Sequence, residues 1–219
     1  MRKRIDRHTG TDRRAAGVRT RAAILAAAER VFARGGLAGA RTDLIAAQAG
    51  VNKALLYYYF QSKEKLYQAV LEDHFQQFNC QALEVLDGPG SAREVLLRYV
   101  GLHFDFMSAR HRHAPLFQQF MSAGGRFSEG LVRKYFEPRG RAVARLLERG
   151  MRDGEFRRVD HFHAAISIVA LIVFYFSAAP VLQMLGHADA YAATSLKRRK
   201  REVLDFIRHG LFTDPSPLP

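Results

Sequence analysis

Apolar residues recur every three or four positions along most of the chain, a spacing that gathers them on one face of an α-helix. The first such stripe consists of Ile24, Leu25, Ala28, Val31 and Phe32. Gly35-Gly36 follows it and predicts a helix end, because glycine adopts the left-handed backbone of a C-terminal cap without steric cost. No stretch shows the sustained alternation of apolar and polar residues that is typical of a β-strand.

Two short helices are predicted after this glycine pair. Thr42 can cap a helix that ends at Gly50, and Asn52 can cap the next one, over residues 53–60. Ser62 can cap a third, longer helix. The side-chain oxygens of these residues suit that position because they accept hydrogen bonds from the free N–H groups of the first helical turn.

Further helices are predicted over the rest of the chain. Asp87-Gly88-Pro89-Gly90 is the strongest interruption, and Ser91 with Glu94 forms a capping-box pattern directly after it. Pro138 and Gly140 should kink or split a later helix. Together these segments predict an all-α fold of about nine helices.

The two short helices around Gly50 have the form of a helix-turn-helix. Ala46 is small where the helices would cross, and Gly50 suits the sharp turn. Ile45, Val51 and Leu56 are apolar where the unit would bury itself. In such a unit the second helix lies in the major groove of DNA. The bare pattern also fits a generic helical hairpin, because alanine-rich helices followed by glycine are common.

The charge distribution gives a second indication of a nucleic-acid partner. The chain has 34 Lys and Arg residues against 21 Asp and Glu, a net charge of +13. Residues 1–70 hold 14 of the basic and 5 of the acidic residues, hence +9 of that charge. This excess favours nucleic acid ahead of an anionic membrane, while a merely basic soluble surface is the alternative. Residues 1–18 are poor in hydrophobic residues and predict a disordered basic arm.

The segment TDLIAAQAGVNKALLYYYFQSKEKLYQAVL, which begins at Thr42, resembles the N-terminal domain of the TetR/AcrR family of bacterial transcriptional regulators. With the preceding helix, the resemblance covers residues 20–72, about a quarter of the chain. It implies a three-helix DNA-binding domain followed by a divergent helical domain for ligand binding and dimerisation. The expected boundaries are 1–18 for the arm, 19–68 for the helix-turn-helix domain, 69–212 for the ligand-binding and dimerisation domain, and 213–219 for a disordered tail.

Seven residues of this segment are expected to contact DNA. They are Thr42, Lys53, Leu55, Tyr57, Tyr58, Tyr59 and Lys63. Lys53 could reach guanine acceptors or a phosphate. Thr42, Tyr59 and Lys63 match the positions at which the family clamps phosphates.

Two positions in the second short helix depart from the family pattern. Ala54 stands where Gly or Pro is frequent, and Leu55 stands where Thr or Ser often contacts DNA. Leu55 cannot donate a hydrogen bond, so we expect it to pack on a thymine methyl group. Tyr57 resembles the family's groove-facing tyrosine, whereas helical periodicity places Tyr58 opposite the buried face. The resemblance also implies that one tyrosine packs within the domain, and Tyr58 is the expected one.

The C-terminal part of the chain is rich in aromatic residues on predicted inner helix faces. In the family, these helices enclose an apolar pocket whose ligand weakens DNA binding. The candidate pocket residues are Phe75, Phe78, Phe104, Met107, Phe117, Phe120, Met121 and Phe136. A small apolar ligand would suit such walls, although phenylalanine at helical spacing is more often plain core.

A long apolar helix is predicted near the C-terminus. Residues 161–188 contain no Asp, Glu, Lys or Arg, and residues 164–182 approach the length of a membrane-spanning helix. The family places a buried subunit-interface helix here, which makes a homodimer on palindromic double-stranded DNA the expectation and a membrane span the alternative. The candidate interface residues are Ile168, Leu171, Phe174, Val203, Phe206 and Ile207. The basic run at 197–201 is expected to be solvated surface rather than a second DNA contact.

No motif indicates catalysis. The chain has no phosphate-binding loop, nucleophile elbow or metalloprotease signature, so we expect no enzyme activity, no cofactor and no metal. The single cysteine, Cys80, excludes an intramolecular disulfide and fits a cytoplasmic protein. The sequence therefore predicts a sequence-specific DNA-binding regulator, with repression as the expected sign and a small apolar ligand as effector. A nonspecific basic DNA-binding protein and a membrane-tethered regulator using residues 164–182 are the alternatives.

Overall fold

The computed structural model describes residues 8–111, 116, 118–120, 128–186 and 189–215, and these ranges are almost entirely helical. We number nine α-helices within them: α1 His8–Gly39, α2 Thr42–Ala49, α3 Lys53–Phe60, α4 Lys63–Leu86, α5 Ala92–Ala109, α6 Ser128–Leu131, α7 Glu137–Arg152, α8 His161–Met184 and α9 Ala193–Leu211. A π-helical turn, Val132–Phe136, joins α6 to α7. The described ranges hold no β-strand, only an isolated bridge between Phe156 and Phe212. The prediction of an all-α fold with about nine helices is confirmed.

Helix α1 is longer than the apolar pattern indicates. It begins at His8, so the prediction of a disordered arm is wrong for residues 8–18. The physical reason is that the adjoining residues 19–34 are rich in Ala and Arg, which are strong helix formers, and extending a helix that has already formed costs less than starting one. The prediction for residues 1–7 lies outside the described residues. Gly36, with φ of 64°, breaks the regular geometry where the glycine pair predicts a helix end, and one more turn runs to Gly39.

The chain divides into two compact units, Met1–Asp73 and His74–Pro219, and α4 contributes residues to both. The first unit contains α1, α2, α3 and the beginning of α4. Its buried core includes the predicted stripe of α1 together with residues from the three other helices: Ile24, Leu25, Ala28, Val31, Phe32, Ile45, Ala46, Leu56, Phe60, Leu66 and Val70. The rings of Phe32 and Tyr67 meet edge to face at 5.0 Å.

The second unit is built around α5. This helix packs against α7, α8 and α9, and its own stripe of Val95, Leu96, Tyr99, Val100 and Phe104 is almost fully buried. Ser91 and Glu94 form the predicted capping box at its N-terminus. A second residue that caps the N-terminus of α5 lies more than sixty positions away, so the sequence does not indicate it.

Glu155 supplies that second cap and ties down the end of the chain. Its carboxylate accepts hydrogen bonds from the backbone N–H groups of Ala92 and Arg93 at 3.1 and 2.9 Å. The Thr213 hydroxyl donates to the carbonyl of Gly154 at 2.8 Å, and the Arg93 guanidinium donates to that hydroxyl at 2.7 Å. The tail predicted to be disordered from residue 213 is therefore anchored at its first residue, and its last four residues lie outside the described part of the chain.

Helix α8 has two apolar faces with different surroundings. Ile168, Ile172, Phe176 and Ala179 are buried in the core of the second unit. Other apolar residues of α8 are exposed: Phe162, Ile166, Phe174, Val181 and Met184. The length and the apolar composition of this helix would allow it to cross a membrane. They are weak evidence for a membrane span, because core helices of soluble proteins can have the same length and composition. The buried face shows that α8 belongs to the packed unit.

The basic run at residues 197–201 is partly engaged within the second unit. The Lys200 ammonium pairs with Asp105 at 2.6 Å. The Arg199 guanidinium donates to the carbonyl of Leu171 at 2.8 Å and lies over the Tyr175 ring. Lys197, Arg198 and Arg201 are exposed. Three of the five residues are therefore at the solvated surface, as expected. Arg199 and Lys200 are not, because they lie on the side of α9 that faces α5 and α8.

Candidate nucleic-acid interface

The turn between α2 and α3 is fixed by backbone and side-chain hydrogen bonds. Gly50 has a left-handed backbone, with φ of 68° and ψ of 29°. Its N–H donates to the carbonyl of Ala47, and the N–H of Val51 donates to that of Ala46, which together end α2. The Asn52 side chain then accepts from the N–H of Leu55 at 2.7 Å and caps α3, as its residue type predicts. The helix-turn-helix is thus set by local chemistry.

Helix α3 presents opposite faces to the core and to solvent. Leu56 and Phe60 are buried, as their four-residue spacing predicts. Tyr58 is 77% exposed and Tyr57 is less exposed, at 36%. The expectation that Tyr58 packs within the domain is wrong, because its position on the helix points it away from Leu56. Tyr59 is the half-buried tyrosine of the run, and its ring lies 6.4 Å from that of Phe60.

Two predicted contact residues are paired with neighbouring side chains. The Thr42 hydroxyl lies 3.4 Å from the hydroxyl of Tyr57, so α2 and α3 meet at these two positions. The Lys53 ammonium lies 2.7 Å from the carboxylate of Asp43. That hydrogen-bonded ion pair raises the pKa of Lys53 and lowers the pKa of Asp43. Lys53 remains exposed and charged beside α3.

Lys63 has a partner that the sequence does not indicate. Its ammonium group lies 3.3 Å from the carbonyl oxygen of Ala38 and 3.4 Å from that of Ala40. Ala38 lies in the last turn of α1 and Ala40 directly follows that helix. A cation is favourable at this end because of the helix dipole. Lys63 therefore links the start of α4 to the end of α1. Leu55, the remaining predicted contact, is half-buried beside the exposed Ala54.

The structure adds exposed residues beside this face that sequence reasoning missed. Arg41 immediately precedes α2 and its side chain is 79% exposed, 4.0 Å from Asp43. Leu44, in the first turn of α2, is also exposed. Gln61, between α3 and α4, has a positive φ of 62°, which is uncommon for a residue other than glycine. Arg41 could have been predicted, because it is a basic residue directly before Thr42. Nothing in the sequence indicates the backbone conformation of Gln61.

The predicted pocket residues fall into two groups within the second unit. Phe75, Phe120 and Phe136 contact one another, with ring centroids 5.0 to 5.8 Å apart. Phe78 lies beside His103 at 4.5 Å. Phe104 instead packs on Phe176 in the core between α5 and α8, at 5.3 Å. Met107 is buried, and the predictions for Phe117 and Met121 lie outside the described residues.

The sequence missed the polar residues among these rings. The Arg139 guanidinium lies 5.0 Å from the ring centroids of both Phe78 and Phe136. His103 is buried, and desolvation followed by the charge of Arg139 lowers its pKa to about 3, so its imidazole is neutral at physiological pH. Arg139 is one of several arginines in its segment, and only packing sets it apart.

Three of the six predicted interface residues face the chain's own core. Ile168, Val203 and Ile207 are almost fully buried within the second unit, so their side chains cannot reach a partner, and the expectation is corrected for them. For Ile168 the reason is that α8 has an apolar residue at nearly every position, so its sequence does not show which face is internal. Val203 and Ile207 lie on the side of α9 that packs into the core of the second unit. Phe174 and Phe206 are 69% and 65% exposed. Leu171 is half-buried.

In the part of the chain that the structure describes, no group of three or more His, Cys, Asp or Glu residues lies close enough together to hold a metal ion. His161 lies 3.8 Å from Glu148 on the surface. Cys80 is exposed and not in a disulfide.

Comparison with known proteins decides the family. A model described as "Bacterial regulatory proteins, tetR family" matches residues 24–70, and one described as "Tetracyclin repressor-like, C-terminal domain" matches residues 93–207. The HTH-type transcriptional repressor NicS of Pseudomonas putida is 33% identical over 86% of this chain and 89% of its own length. This chain belongs to the TetR family. It is a DNA-binding transcriptional regulator, as the residues from Thr42 to Glu64 predict.

Solved structures of TetR-family proteins and other regulators share the fold. A transcriptional regulator of Streptomyces coelicolor, SCO4942, has a TM-score of 0.68 and 26% identity, over 88% of this chain and 98% of that one. FadR of Bacillus subtilis, solved in complex with stearoyl-CoA, has a TM-score of 0.69 and 22% identity, over 84% and 96%. These likenesses extend over residues of both units.

Proposed function

We propose that this TetR-family chain is a cytoplasmic repressor that binds a palindromic double-stranded DNA site as a homodimer. A small apolar ligand bound in the second unit releases it from the DNA. The observation that carries the proposal is the exposed face of α3, which presents aromatic and basic side chains on a helix-turn-helix whose buried face is fully packed. NicS, a relative that aligns with 86% of this chain, is a transcriptional repressor.

The proposed DNA contacts divide into base readers and phosphate contacts. Tyr57, Tyr58 and Leu55 project from α3 toward the major groove, where leucine can pack only on a thymine methyl group. Lys53 can exchange its ion pair with Asp43 for a guanine or a phosphate, because the pair is exposed and therefore weakly held.

The phosphate contacts lie at helix ends. Thr42, at the start of α2, and Tyr59, in the last turn of α3, can serve as hydroxyl donors. An ammonium has three N–H donors, so Lys63 can keep its bonds to the carbonyls of Ala38 and Ala40 and still offer one to a phosphate. Arg41 adds an exposed cation beside Thr42.

The proposed dimer interface is the exposed apolar face of α8 and α9. Phe174 and Phe206 contribute the largest side chains, with Phe162, Ile166 and Val181 along the same helix as Phe174. A second copy of the chain would cover this face, and a two-fold axis would give two reading helices for a palindromic site. A membrane could contact only the exposed face of α8, because the opposite face of this helix is packed inside the unit.

The proposed ligand site is the aromatic cluster of Phe75, Phe120 and Phe136. Phe75 and Phe120 are buried and both contact the ring of Phe136, so the three side chains form an apolar environment of the kind that lines ligand pockets. The FadR structure with stearoyl-CoA shows that this fold can hold a molecule with a long apolar chain. We propose that ligand binding among these rings repacks the second unit and lowers DNA affinity.

Selection of DNA from a random duplex library tests the proposal. The full-length protein should enrich an inverted repeat, occupied by two subunits. Enrichment of no sequence would contradict specific recognition and favour nonspecific basic binding. Enrichment of a single, unrepeated half-site occupied by one subunit would contradict the dimer. The protein should remain in the supernatant when membranes are sedimented, whereas a requirement for detergent would favour the tethered alternative.

A further inference from the structure

Arg139 is a partly buried arginine of the second unit. Its guanidinium lies over the rings of Phe78 and Phe136, and the hydrogen bond that it makes to a described residue is a long one, 3.4 Å, to the side-chain oxygen of Asn79. No carboxylate pairs with it among the described residues. Burial lowers the pKa of Arg139, which reflects how poorly this environment solvates the charge.

Other arginines of the same segment show the contrast. Arg133 pairs with Glu129, Arg141 with Glu137 and Arg145 with Asp87, at 3.0, 3.0 and 3.8 Å, and all three are exposed. The segment thus gives carboxylate partners to arginines that water already solvates. Arg139 is only partly exposed and has no carboxylate partner among the described residues, so holding its cation among aromatic rings is costly.

Two buried polar atoms beside the rings of Phe75 and Phe78 are also unsatisfied. The hydroxyl of Tyr135 and Nδ1 of His103 are buried and have no hydrogen-bond partner in the described part of the chain. The His103 ring touches that of Phe78, and the Tyr135 ring lies 6.2 Å from that of Phe75. His103 is neutral, so it adds hydrogen-bonding capacity without a charge. Cation, hydroxyl and imidazole all border the Phe75–Phe120–Phe136 cluster or the adjoining Phe78.

The segment that carries these groups has an unusual backbone. Tyr135 and Phe136 lie in the π-helical turn, and Pro138 opens α7 directly afterwards. A π turn widens the helix and changes the direction of its side chains, and such turns are frequent at functional sites. Phe136 and Arg139 lie three positions apart across the end of this turn, with the guanidinium over the ring.

We propose that Arg139 binds the carboxylate of a small monocarboxylic acid whose apolar body lies against Phe75, Phe120 and Phe136. This inference rests on the proposed ligand response and names its chemical class. A carboxylate matches the guanidinium in planar, bidentate geometry and supplies the missing counter-charge. Tyr135 can donate a hydrogen bond to the same anion. A cationic ligand is disfavoured, because it would meet Arg139 at close range.

Calorimetric titration of the full-length protein with matched probes tests the class. The probes are 3-phenylpropanoate and decanoate, each beside its primary amide, which keeps the shape and removes the charge. We expect an acid to bind at least about tenfold more tightly than its amide, as for a charge-assisted hydrogen bond lost from a desolvated site. Equal affinity of acid and amide, or no binding of either acid, would overturn the proposal.

Variants of two arginines in α7 assign the effect to one side chain. Arg139→Gln should lose the preference for the acid, and Arg139→Lys should keep part of it. Arg141→Gln, which removes an exposed arginine two residues away, should behave as the wild type. Loss of the preference in Arg141→Gln, or its retention in Arg139→Gln, would contradict the assignment.

Two further readouts separate this inference from a structural role and from the proposed function. Arg139→Met should raise the Tm of the ligand-free protein, because it removes an unpaired charge, whereas a lower Tm would show that Arg139 serves packing instead. Operator binding by ligand-free Arg139→Gln should equal that of the wild type. Specific DNA binding without an acid preference would overturn the ligand class alone, and absence of specific DNA binding would overturn the proposed function.

Discussion

At the scale of residues, the helix-turn-helix uses side chains that serve the fold and the surface at once. Asn52 caps α3, and Lys63 holds the end of α1, yet both lie beside the face proposed to meet DNA. Tyr58 has no such double role, since it is exposed and its ring contacts only its neighbour Tyr59 among the described rings. Substitutions at Tyr58 and Lys63 should therefore have different consequences.

Tyr58→Ala should weaken binding to a specific DNA site by about 1–3 kcal/mol and leave the Tm unchanged, because the removed ring is solvated in the free protein. Fluorescence anisotropy and thermal unfolding measure the two effects. Val132→Ala, at an exposed apolar residue of the second unit, is the matched control and should change neither. Unaltered DNA affinity in Tyr58→Ala would remove this residue from the interface.

Lys63→Ala should have two effects, because its ammonium has donors both for the carbonyls of Ala38 and Ala40 and for a phosphate. The free energy of unfolding should fall by about 0.5–1 kcal/mol, the usual value of a cation at a helix C-terminus. DNA binding should weaken for all sequences, with the salt dependence reduced by about one unit. A salt dependence equal to that of the wild type would show that Lys63 serves only the fold.

At the scale of elements, close packing decides which glycines can be replaced by a larger residue without loss of stability. A Cβ added to Gly150 in α7 would lie 2.2 Å from the Phe156 ring, whereas one added to Gly140 in the same helix would meet nothing within 4 Å. Phe156 is in turn stacked on Phe212, with ring centroids 5.4 Å apart. The two glycines look alike in sequence, and only their surroundings differ.

Gly150→Ala should lower the free energy of unfolding by about 1–3 kcal/mol, the usual cost of overpacking a core. Gly140→Ala, the same substitution in the same helix, should raise it by about 0.5–1 kcal/mol, because alanine favours the helix and Gly140 is exposed. Urea unfolding of both variants checks the signs. Equal effects at the two positions would contradict the packing described for α7.

The elements also show how far the sequence carries the fold. Local signals predicted the caps at Asn52 and Ser91 and the turn at Gly50, because these depend on residues a few positions apart. The cap that Glu155 gives to α5 was not predictable, since it joins positions more than sixty residues apart. Tyr58 and the inner face of α8 were misassigned for related reasons: a run of tyrosines, or of aliphatic residues, gives little indication of which side is buried.

At the scale of the whole molecule, the apolar surface of α8 and α9 calls for a partner. Phe174 and Phe206 are too exposed to stabilise the single chain by burial. In the proposed homodimer, a second copy covering this face would couple dimerisation to the reading of a palindrome. The proposed ligand in the second unit would lower DNA affinity through the same coupling, by altering the spacing of the two copies of α3.

Phe174→Asp and Phe206→Asp should each shift the protein to monomers in sedimentation velocity and reduce its affinity for the inverted repeat. A carboxylate placed at the centre of an apolar interface cannot be solvated there. Val132→Asp places the same charge at an exposed apolar position away from these two helices and should remain dimeric. A Phe174→Asp protein that stays dimeric would exclude this face as the interface.

The central claim is that this chain reads a specific DNA sequence as a dimer. A salt titration of its binding to the selected inverted repeat, beside a scrambled duplex of the same composition, tests that claim most directly. We expect a preference of roughly a thousandfold or more for the repeat, with two subunits per site and a steep salt dependence on both duplexes. Equal affinity for the two duplexes at every salt concentration would contradict it and leave only the attraction of a basic protein for a polyanion.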